Sequence, residues 1–422
     1  MASYVSRLCC AVFSVVLFGT GHSAHGQDLP RLRGVELACV DDEAHGYATF
    51  QSHNQKVVAN AHGLFMTHIR TRNEAYTAQT WRLLRSTDRG VSFAVVHEAT
   101  DATNPPVIET DAAGNVYLVR PDFVDGNAYL YRFVAAQEFG EPLVSTISGG
   151  AAGKFCMFLD EARGQLYYFA HNGTFHVIGL DGQVRRSVKL LEGGPNAVLQ
   201  YPLLSMTAGG VLHAAWTTQK HGVYLYWDIH HMVSADAGAS WRNPDGAELA
   251  LPVVADDAGP TTRITHEDEF AAHTWLSSFM AKDGKLHFLY QAQTEPKRQH
   301  YVRYDAATGQ RDVHHAPALR GDALDIHTFD GFFAARPGGP LYCLGAGEGH
   351  VVCLVSLDNG ATWHDYAKSE KTFNLYSLGG CRRVTDDGYI IGSFTDQAGS
   401  NLTVARKSRV YFFKVKALGG AG

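Results

Sequence analysis

Apolar and polar residues in this chain follow short runs separated by turn residues, not the spacing of an amphipathic helix, and one arrangement of runs keeps returning. Residues 200–241 show it most clearly. QYPLLSM is an apolar run, and TAGG is a turn in which Gly209 and Gly210 accept the positive φ that other residues resist. VLHAAW follows as a second run, and VYLYWDIHHMV, rich in β-branched and aromatic residues, as a third. The glycine between the first two runs recurs at Gly63, Gly114, Gly164, Gly210, Gly284, Gly339 and Gly388, at separations of 51, 50, 46, 74, 55 and 49 residues. Seven copies of an all-strand unit predict an all-β fold, a seven-bladed β-propeller, because such sheets bury their faces only against one another.

The units extend from about residue 34 to residue 416, so a single propeller domain is expected over residues 27–422. SRVYFFKVKAL ends the chain as a third strand of the last blade, and GVELACV precedes the first blade. Pairing of residues 34–40 with 408–418 would close the ring and remove two open sheet edges. A long connection before the fifth blade, NPDGAELALPVVADDAGPTTRITHEDEF, carries Asp256, Asp257, Glu267, Asp268 and Glu269. It reads as a solvated loop or a lid over a ligand.

Three octets, at residues 86–93, 234–241 and 356–363, fit the Asp-box pattern S-x-D-x-G-x-x-W, with Phe93 in place of tryptophan in the first. Their aspartates are expected to accept backbone hydrogen bonds and their rings to pin the next strand, which is an architectural role. At the amino terminus, MASYVSR followed by LCCAVFSVVLFG and small residues has the form of a secretory signal peptide over residues 1–26. Its apolar run is short for a membrane span, so a secreted or periplasmic protein with no membrane attachment after cleavage is expected.

Composition narrows the chemistry. A net charge of −6 offers no basic surface for nucleic acid or anionic lipid. Five cysteines follow the leader, with no CxxC and no HExxH, so neither a metal nor any other cofactor is expected. Cys343 and Cys353 fall on neighbouring strands of the sixth blade and read as either a disulfide or buried thiols.

Propellers bind ligands at one end of the channel, where the innermost strands begin. The repeat places His53 and Asn54, Asn104, Lys154, Gln200 and Tyr201, His273 and Trp275, His327 and Asp330, and Tyr376 at those starts. Second strands returning to the same face add His68, Arg70, Arg120, Asp122, His171, residues 217–220 with Lys220, Tyr290, Gln291 and Asp396. Such a ring of histidine, tyrosine, amide and lysine residues suits a polar, sugar-binding site.

Asp boxes in an exported propeller resemble the sialidase superfamily. The sialidase arginine at the start of the first inner strand is absent here, where Ser52-His53-Asn54-Gln55 stands. The chain is more similar to the BNR-repeat family that contains seven-bladed ulvan lyases, through the pair His53-Asn54 and the mid-chain Tyr201-Pro202. Two positions depart: the family's second histidine falls on Asn73, and its arginine on Thr217. The resemblance implies a polysaccharide lyase acting by β-elimination on a uronic-acid-containing polysaccharide or oligosaccharide, with His53 and Tyr201 catalytic. Asn54, His68, Arg70, Asn104, Lys154, Gln200, Lys220, His273 and His327 are then the expected substrate contacts. A sialidase-like exo-glycosidase and a non-catalytic glycan-binding propeller are the alternatives.

Overall fold

The computed structural model describes residues 32–72, 79–102, 104–195, 197–222, 226–255, 262–264, 274–292, 298–315, 319–326, 330–398 and 408–419. The expected signal peptide, Asn73, His273, His327, and Asp256, Asp257, Glu267, Asp268 and Glu269 of the connection before blade 5 lie outside the described residues. Among those described, no helix is long and apolar enough to cross a membrane.

Seven main sheets form the blades of a β-propeller, as the glycine spacing predicts. The innermost strands, in chain order, are Val57–Asn60, Val107–Thr110, Phe155–Asp160, Ala197–Met206, Thr274–Lys282, Gly331–Ala335 and Leu375–Gly380. Each is followed by an antiparallel partner across the turn that the repeat marks. In blade 6 the turn residue with positive φ is Gly338 (φ +64°), one place before the expected Gly339.

The three octets do more than pin their own strands. In each, the serine hydroxyl donates to the aspartate (Ser86–Asp88, Ser234–Asp236 and Ser356–Asp358, all 2.8 Å) and accepts the glycine N–H. The ring at the octet's end then packs on the preceding blade: Phe93 on Phe412 of blade 7, Trp241 on Phe175 of blade 3, and Trp363 on Tyr301 of blade 5. The octet glycines sit at the same seams. A Cβ on Gly90 would lie 2.3 Å from the Phe412 ring, and one on Gly360 1.9 Å from the Tyr301 hydroxyl. Positive φ and close approach together demand glycine there.

Blade 4 departs from the four-stranded pattern. Its sheet has three strands, and the outer edge is covered by two separate pieces. Arg242 exchanges backbone hydrogen bonds with Val233, while Thr262 and Ile264 bond the backbones of His231 and Ile229. Part of the long connection is thus a structural edge cover.

The amino-terminal segment closes the ring. Residues Glu36–Ala44 pair antiparallel with Ser408–Lys416, with Glu36 opposite Lys414, and supply the outer strand of blade 7. Just before them, Arg33–Gly34 run parallel to His364–Lys368 at the edge of blade 6. Removing residues 33–42 is expected to lower the melting temperature measured by circular dichroism, since it uncovers both edges. An unchanged melting temperature would refute this account of closure.

All five described cysteines are free thiols. Cys343 lies opposite Leu354 and Cys353 opposite Leu344, so the two cysteines are offset by one residue. Strand alternation sends them to opposite faces of the sheet, which rules out the disulfide alternative.

Candidate active site

Four of the expected residues, His53, Lys154, Tyr201 and Trp275, converge where the innermost strands of blades 1, 3, 4 and 5 begin. His53 sits in the turn at residues 51–54, ahead of the first inner strand. Its ring meets that of Tyr201 from blade 4 edge-on, with centroids 5.1 Å apart. The ammonium of Lys154, from blade 3, lies 5.6 Å from the Tyr201 ring centroid. Tyr201 also packs on Trp275 and Tyr226 at 4.6 and 5.5 Å.

The local backbone explains this placement. Between Gln200 and Leu203 the ladder slips by a bulge, and Tyr201 takes φ +45°. A bulge re-aims the side chain it carries, here towards His53. The turn bearing His53 is held by Gln51, whose amide donates to the Gly153 carbonyl and accepts from Asn54 Nδ2 at 3.1 Å. Asn104 Nδ2 donates to that same carbonyl at 3.2 Å, so three blades meet beside Lys154.

The electrostatics favour a neutral imidazole. Burial, then the positive charges of Lys56 and Lys154, hold His53 well below the usual histidine range, against a raising bond to the Phe155 backbone. His171, which accepts the Lys154 N–H at Nδ1, is lowered to about 4 by burial and by Lys154. Burial lowers Lys154 as well. Three buried polar atoms in this region have no partner among the described residues: His53 Nε2, Asn54 Oδ1 and Gln200 Oε1. Buried acceptors are normally satisfied, so these atoms leave hydrogen-bonding capacity that a ligand or water can take up.

Other expectations are corrected. His68 and Arg70 do not join this group, because both serve the amino-terminal strand of blade 7. His68 Nε2 bonds Asp41 at 2.8 Å in a fully buried pair, and Arg70 is paired with Glu43. Lys220 lies over Trp227 on the third strand of blade 4, 5.3 Å from its ring centroid. The carboxylates divide likewise: Asp122 pairs with Arg120 at 2.8 Å, and Asp396 accepts the Asn374 N–H.

Among the described carboxylates, Asp330 alone adjoins the His53 turn, through the Ser52 hydroxyl. Burial pushes its carboxyl up to about 7, against lowering bonds from Ser52 and the Ser377 and Leu378 N–H groups. With a folded value of about 7 and an ordinary one of 3.8, its proton is held in the fold while the unfolded chain has lost it. Its contribution to stability therefore falls as pH rises through that window, by on the order of 4 kcal/mol. Asp330→Asn is expected to melt higher than the wild type at pH 8, and the gain should shrink by pH 5. An equal shift at both values would contradict this environment for Asp330.

A cavity of about 840 Å³ lies at the far ends of the inner strands, around His62, Asp111 and Arg383. Its charges are largely matched within the protein: Arg382 pairs with Glu109, and Arg383 with Glu161 at 3.8 Å. Volume favours that end, while unpartnered polar atoms and neutralised bases favour the His53 end.

Fold and repeat together define the class, a seven-bladed β-propeller. Residues 169–316 match the model of a BNR repeat-containing family member. No curated protein matches the sequence. Among solved structures, the chain is similar to a PL25 ulvan lyase (TM-score 0.61, 12% identity, covering 89% of this chain and 95% of that one). The same kind of lyase bound to -[GlcA(1-4)Rha3S]- gives a TM-score of 0.62 at 11% identity, covering 89% and 95%. The polysaccharide lyase Uly1 gives 0.53 at 10%, covering 89% and 92%. At these identities the likeness establishes the fold.

Proposed function

We propose that this protein is an exported polysaccharide lyase that cleaves a uronic-acid-containing glycan by β-elimination. The observation that carries this reading is His53, whose buried Nε2 has no partner among the described residues and whose ring lies against Tyr201, beside Lys154. In such an elimination, His53 Nε2 takes the proton α to the uronate carboxyl. The electron pair forms a carbon–carbon double bond as the bond to the 4-linked oxygen breaks, and the Tyr201 hydroxyl protonates that oxygen; the two residues can also exchange roles. Lys154 balances the charge that builds on the carboxyl group. Asn54 Oδ1 and Gln200 Oε1 accept from sugar hydroxyls, and Asn104 braces the wall beside them.

The solved lyase complex with a glucuronate-containing glycan supports the substrate class. A hydrolase of two facing carboxylates is disfavoured, because Asp330 alone adjoins the site among the described residues. The test is incubation with a panel of acidic polysaccharides, following ultraviolet absorbance of the unsaturated product together with new reducing ends. A lyase raises both signals. Reducing ends without absorbance would mean hydrolysis, and neither signal with retained binding would mean a glycan-binding propeller; either outcome defeats the proposal.

A further inference from the structure

Lys56 follows the His53 turn by two residues, and its side chain is almost fully buried (2% exposed). Its ammonium donates to the carbonyls of Gln51 at 3.2 Å and Asn54 at 3.5 Å, and no carboxylate of the described residues pairs with it. A lysine buried without a counter-ion is costly to keep charged, so its presence calls for a reason. It is tied into the sheet through its own carbonyl, which accepts the Thr67 N–H at 2.9 Å. The two carbonyls it holds flank His53 in the chain.

We propose that Lys56 is the positioning residue of this site: its ammonium clamps the turn through the Gln51 and Asn54 carbonyls and sets a positive charge beside the His53 imidazole. The role rests on His53 being the base of the proposed lyase. Among the described residues, the other charged or titratable groups around the turn are Lys154 and His171 of blade 3, Tyr201 of blade 4, and Asp330 of blade 6 acting through Ser52. Burial does most to lower His53, and Lys56 and Lys154 act in the same direction, Lys56 more strongly. Lys56 itself is brought by burial to about 7, so its charge is present below neutrality, where a histidine would otherwise take up a proton.

The experiment is an NMR titration of the intact protein with labelled histidine rings, the His53 signal being assigned through His53→Gln. In the wild type, His53 should stay neutral through the usual histidine range and show a small step near pH 7 as Lys56 loses its proton. In Lys56→Met the His53 midpoint should move upward, and in Lys56→Arg it should stay low. His171, whose lowering comes from burial and Lys154, should hold its midpoint near 4 in all three proteins. A wild-type His53 that titrates as an ordinary histidine, or lacks the step near 7, overturns the proposal even if Lys56→Met does not fold. So does an unmoved midpoint in a folded Lys56→Met. No turnover is measured, so the result stands apart from the polysaccharide assay: that assay can fail while Lys56 still governs His53.

Discussion

Tyr201→Phe and His53→Gln are each expected to lower turnover on the polysaccharide that the panel identifies by about 10²–10⁴-fold, the usual worth of a positioned proton-transfer group. Glutamine is preferred to alanine at position 53 because the ring is buried against Tyr201, where deletion would also cost packing. Phenylalanine at 201 keeps the contacts with Trp275 and Tyr226 and removes only the hydroxyl. Both variants should retain the wild-type circular dichroism spectrum. Wild-type turnover in Tyr201→Phe would reduce Tyr201 to a packing residue and take away the proton donor that the elimination needs.

The second large effect is on stability. Trp241→Ala is expected to destabilise the protein by about 3–5 kcal/mol, since it removes a fully buried indole and leaves a cavity. The loss falls on the seam between blades 3 and 4, where Trp241 meets Phe175 and lies in one apolar cluster with Tyr167 and Trp216. Denaturant unfolding would read it directly. Turnover per folded molecule should be unchanged, because the octet stands outside the His53 site. A loss below 1 kcal/mol would mean that the octet rings do not hold the blades together.

Much of the architecture was legible because a propeller writes its period into the chain. Turn glycines recur wherever the backbone must reverse with positive φ, and the octet glycines recur wherever a neighbouring ring comes too close for a side chain. Blade 4 was less legible, since its outer edge is assembled from Arg242 and from residues 262–264, about twenty positions further on. The site was legible in part. His53, Lys154 and Tyr201 could be placed by counting back from the glycines. His68 and Arg70 could not be excluded that way, because the count gives a height along the blade and not the face from which a side chain leaves. Lys56 was missed for a related reason. In HNQKVV it resembles a polar strand start, and only the folded turn shows its ammonium directed at two carbonyls.

The ring closure has a consequence for the order in which the molecule is made. Glu36, among the first residues of the propeller to be synthesised, finds its place opposite Lys414, among the last. Closing so long a loop has a high entropic cost and cannot begin until the whole chain is available. Six blades can form as hairpins of local contacts while the amino-terminal strand waits unpaired. The outer strand of blade 7 can therefore pair only once the last residues of the propeller are in place, so the ring closes no earlier than its seventh blade exists.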